Sequence, residues 1–114
     1  MDPRPEVQAL KADIEDLEAE IQELKEKNRG LERKNEELEA KNEGLRSRLP
    51  EIVDLEEKKY IRDHISANES KIIGNQGIIR ANTERITALD TRITEYQRTI
   101  NATITTTGNI HLRK

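Results

Sequence analysis

Ile65-Ser66-Ala67-Asn68-Glu69-Ser70-Lys71-Ile72-Ile73-Gly74-Asn75-Gln76-Gly77-Ile78-Ile79-Arg80-Ala81-Asn82 states one phrase three times, isoleucine followed three residues later by asparagine. The isoleucine row continues at Ile86, Ile93 and Ile100, while Leu89, Tyr96 and Thr103 take the later place. A period of seven puts these side chains on one narrow stripe of a helix. With heptad letters a to g, isoleucine holds a and asparagine holds d. So narrow a stripe suits a seam between helices better than a globular core.

The same period runs upstream. Position a holds Val7, Ile14, Ile21, Asn28, Asn35, Asn42 and Leu49, and position d holds Leu10, Leu17, Leu24, Leu31, Leu38, Leu45 and Ile52. In a parallel bundle each g residue meets the e residue five positions later on its neighbour. Glu6–Lys11, Glu20–Lys25, Lys27–Glu32 and Lys34–Glu39 are then attractive, while Asp13–Glu18 and Lys41–Arg46 repel. The balance favours parallel strands, though each exposed pair is worth only about 0.2–1 kcal/mol. Asn28, Asn35 and Asn42 fill three successive a positions, where amides are read as setting register and oligomer state. Branched residues at a with Leu at d lean towards two strands.

Between the stripes stands Pro50, which cannot donate a helical hydrogen bond. Asp54-Leu55-Glu56-Glu57 follows as a helix start, with Asp54 as N-cap and Glu57 reaching back. The heptad phase slips by two residues here, which predicts a kink, an unwound insertion or a hairpin turn. The expected organisation is a frayed start at 1–6, marked by Pro3 and Pro5, and a first coiled-coil segment at 7–49. A break at 50–60, a second coiled-coil segment at 61–103 and a tail at 104–114 complete it. The tail is rich in β-branched residues and reads as extended or β-like.

Composition agrees with long helices. Ala, Glu, Lys, Leu and Arg make up 55 of 114 residues, while Phe, Trp and Cys are absent, a balance typical of coiled coils and poor in the aromatic bulk of a compact core. An enzyme is therefore not expected, and no catalytic residue is assigned. His64 and His111 form no metal spacing or triad. The tripeptides Asn68-Glu-Ser70 and Asn101-Ala-Thr103 match a glycosylation pattern and are read as chance. No apolar run predicts a membrane span. Residues 1–57 carry 18 acidic and 10 basic side chains, and residues 58–114 carry 5 and 10. This asymmetry fits two solvated faces, or halves that attract each other. Nucleic-acid binding is not expected, because the basic residues are scattered and Tyr60 and Tyr96 are the only aromatics.

The third copy of the repeat, Ile79-Arg-Ala-Asn82-Thr83-Glu-Arg-Ile86, with Asn at d followed by Thr, resembles the stalks of trimeric autotransporter adhesins. It is also similar to the helical cores of bacteriophage tail needles and fibres, over residues 65–103. The resemblance implies a parallel homotrimer in which three Asn amides turn inward at each d layer. Asn68, Asn75 and Asn82 would there surround chloride or another small anion on the axis, with Thr83 supporting the one complete copy. Glu69 and Gln76 stand at that supporting position in the other two copies. No other cofactor is implied.

Two architectures follow. The first is all-α: an elongated parallel coiled coil, a homotrimeric rod on the order of 140 Å long, stable only through association. The second is an antiparallel helical hairpin folding at the break. Pairing residues whose numbers sum to 110 sets Asn28 against Asn82, Asn35 against Asn75 and Asn42 against Asn68. Three amides meeting three amides is more than heptad periodicity guarantees, although the register leaves about eleven residues to connect the arms. The first expectation for function is a structural stalk or fibre segment of a virus or phage particle, located in the virion and joined to other structural proteins at its ends. The absence of a signal or anchor is read as favouring that setting. The alternative is a cytoplasmic coiled-coil scaffold or adaptor that binds partner helices.

Overall fold

The computed structural model describes residues 4–112, with side chains described for 5–105. Residues 1–3 and 113–114 lie outside it. Among the described residues the chain is all-α: helix α1 spans Arg4–Arg48, a single 3-10 turn covers Leu49–Glu51, and helix α2 spans Leu55–Leu112. It divides into two compact units, one of Glu26–Asn82 and one of Met1–Lys25 with Thr83–Lys114.

The unit of Glu26–Asn82 is a helical hairpin. Pro50 falls in the 3-10 turn, where its missing N–H is not needed. Ile52 is extended (φ −88°, ψ 125°), and its N–H closes the turn on the Leu49 carbonyl at 3.2 Å. Asp54 caps α2 as expected: its Oδ1 accepts the Glu56 N–H at 3.1 Å and its carbonyl accepts the Lys58 N–H at 3.0 Å. The eleven residues allotted to the connection reduce to six, because α2 starts at once and Ile61 is already buried.

In this unit α2 runs back along α1, so the chain takes the hairpin alternative instead of a parallel rod. The g-to-e pairs of the parallel test do not organise it. In an antiparallel pair e faces e, and Arg46 accordingly bridges to Glu69. The parallel reading rested on weak exposed pairs, and three matched buried amides outweigh them.

The unit of Met1–Lys25 and Thr83–Lys114 holds an apolar cluster. Val7, Ile14, Leu17 and Ile21 of α1 pack with Leu89, Ile93 and Ile100 of α2, flanked by Leu10, Leu24, Ile86 and Tyr96. Leu89, 1% exposed, is its most enclosed member. Here g faces g, and Arg85 bridges to Glu20 at 3.3 Å. In this unit too the a and d stripe of α1 packs on that of α2 within one chain.

Among the described residues α1 begins at Arg4, with Pro5 in its first turn, where proline loses no bond. The tail is helical as far as Leu112, where an extended or β-like segment was expected; residues 113–114 of it lie outside the described residues. Threonines along α2 return their hydroxyls to the carbonyl four residues back: Thr87 to Thr83, Thr91 to Thr87, Thr94 to Asp90, Thr99 to Glu95 and Thr103 to Thr99. That bond satisfies each hydroxyl within the helix. α2 runs unbroken through Gly74 and Gly77, and among the described residues no glycine takes a positive φ.

Candidate functional site

The asparagines form the polar core of the Glu26–Asn82 unit. The a and d stripes converge on the seam, and the register set at the turn brings each α1 asparagine opposite an α2 asparagine. Asn68 Nδ2 donates to Asn42 Oδ1 at 2.8 Å, Asn75 Nδ2 to Asn35 Oδ1 at 2.9 Å, and Asn82 Nδ2 to Asn28 Oδ1 at 2.9 Å. The pairing by numbers that sum to 110 is the observed one.

Each α1 asparagine also donates in turn to a backbone carbonyl of α2. Asn42 Nδ2 reaches Ile65 O at 3.3 Å, Asn35 Nδ2 reaches Ile72 O at 3.4 Å, and Asn28 Nδ2 reaches Ile79 O at 3.5 Å. The Ile-x-x-Asn phrase thus supplies two groups per layer, a carbonyl from its isoleucine and an amide from its asparagine. These second bonds are long, as expected for a carbonyl already engaged in its own helix. Residue spacing alone could not reveal them, because a backbone acceptor leaves no mark in side-chain identity.

Burial is graded along the ladder. Asn42 is 1% exposed and Asn68 4%, whereas Asn75 and Asn82 are half-buried. No buried side-chain nitrogen or oxygen among the described residues lacks a hydrogen-bond partner. Asn68, Asn75 and Asn82 therefore lie in the seam as expected, but one amide N–H of each points to an asparagine of α1. That differs from the inward-turned triad implied by the stalk resemblance. The six asparagines of this unit make one ladder.

Around the ladder, His64 stacks on Tyr60 with ring centroids 6.1 Å apart. Among the described residues no group of acidic, histidine or cysteine side chains is placed to hold a metal ion, and no helix is long and apolar enough to cross a membrane. No protein family, curated protein or solved structure matches the chain.

Proposed function

We propose that the protein is a structural subunit, a fixed-register helical-hairpin spacer that works in several copies as part of a virus or phage particle. The observation that carries the reading is the three-layer asparagine ladder. It commits buried polar groups to one alignment, and such groups are best known for setting register. No catalytic role is proposed. The likeness of the α2 repeat to trimeric stalks supports an assembly of three chains, which here would be three hairpins around an axis. Within such an assembly a small anion would have to be held by amide hydrogens left over from the asparagine pairs.

A second reading, a scaffold that receives partner helices, is favoured by the apolar residues near the connection, with Val53 91% exposed and Leu55 79%. Light-scattering mass separates the two: three chains supports the stalk component, and a single chain or pair supports the scaffold. Bromide soaking of crystals tests the anion, and an axis without anomalous density removes it.

A further inference from the structure

The two flanks of the Glu26–Asn82 hairpin differ in charge over their middle stretch. One flank holds the b and e positions of both helices. There Glu36, Glu39 and Glu43 of α1 line a groove with Ile73 of α2, which is 67% exposed. Gln76 adds no charge to it, and Glu69 is engaged by Arg46. Glu32 extends the acidic row; Arg29 and Arg80 stand at b positions at its far end, and Lys59 and Arg62 hold the b and e positions nearest the turn, so the row is acidic only between them.

The other flank holds the c and g positions. Lys34 and Lys41 of α1 and Lys71 of α2 line one groove, with Glu37 the acid among them. Arg48 and His64 line the next groove, together with Lys41. Lys34 and Lys71 occupy g positions that oppose each other in this register, so like charges meet across the seam, which is unfavourable in an isolated hairpin. Ile78, 50% exposed, belongs to this flank. So do Gly30, Gly44 and Gly74 at c, each with nothing within 4 Å of where a Cβ would stand.

We propose that a second copy of this chain docks here, its acidic flank around Ile73 set on the basic flank around Ile78 of the first. This rests on the multi-copy reading above and names the surfaces that meet. Glu36 and Glu43 are one heptad apart, as are Lys34 and Lys41, so the two charge rows share a repeat and can coincide along parallel or antiparallel helices. The flanks differ, so the contact is heterologous. It leaves each copy one flank for the next, and closes into a ring or continues as a filament. A two-fold contact through either flank alone would set like charge on like charge.

Sedimentation of the full chain tests this. The wild type associates at low salt and weakens as salt rises. The variant Lys34→Glu/Lys41→Glu/Lys71→Glu, acidic on both flanks, and Glu36→Lys/Glu39→Lys/Glu43→Lys, basic on both, each associate about tenfold more weakly or worse. Mixing the two restores association. None of these residues lies in the seam, so circular dichroism should report unchanged helicity. Should a triple variant lose helicity, Lys71→Glu and Glu39→Lys give the same comparison singly. Wild type that associates equally with and without the reversals overturns the flank contact and leaves the multi-copy reading standing. Wild type that stays a single chain at every concentration overturns both. So does a single chain that binds only polyphosphate, which would make the basic flank an anion surface.

Discussion

At the scale of the residue, the asparagine pairs bring a high penalty for half-measures. Removing one amide strands its partner in the seam, and a buried donor without an acceptor costs about 1–3 kcal/mol. Asn35→Leu is therefore expected to destabilise the chain by that amount, read as a lower urea midpoint. Asn35→Leu with Asn75→Leu should recover most of the loss or exceed wild type, because two apolar groups replace two matched polar ones. Its alignment should loosen, and spin labels at the exposed Glu39 and Gln76 would show a broader distance distribution than in wild type. A double variant less stable than the single one would contradict the pairing. Which asparagine meets which was legible from the numbers alone, since three layers coincide under one sum. The purpose of the layers was not, because the stalk resemblance directed attention to α2 asparagines meeting copies of themselves. The nearest amides were on the same chain.

At the scale of the element, the two helix boundaries at the turn are local chemistry. Asp54→Ala removes the side-chain acceptor of the Glu56 N–H and is expected to cost about 1 kcal/mol, within the usual range for an N-cap. Gly77 sits at an f position with open space around its missing Cβ. Gly77→Ala should thus stabilise α2 by up to about 1 kcal/mol and raise the melting temperature. A fall in melting temperature would mean the glycine serves a contact made by another chain. The cap and the break at Pro50 could be read from sequence because each depends on a few adjacent residues. The C-terminal end misled because Ile104-Thr105-Thr106-Thr107, with Ile110 and Leu112 alternating after it, scores as strand by propensity. Propensity is a weak prior, and a helix already packed through Leu89, Ile93 and Ile100 carries the residues that follow it.

At the scale of the whole molecule, the question is what a single chain can do. A rod with no interior loses its helicity on dilution, whereas a chain with the Leu89 cluster in one unit and the amide ladder in the other retains it. Helicity at 222 nm is expected to persist when the protein is diluted until sedimentation reports one chain. Loss of helicity in step with loss of mass would restore the associative picture. The heptad arithmetic could not decide this, since a stripe of seven-residue period serves a partner on the same chain or on another equally well. The tight connection at Leu49–Glu51 also restricts how such a chain can change size. Seven residues added to one arm would shift every later layer of that arm against its mate, and all six amides cannot then be matched. Growth has to be two-handed, a heptad in each arm at facing positions, adding about 10.5 Å per step. Related chains should then differ in length by multiples of fourteen residues, like rungs fitted to both rails of a ladder at once.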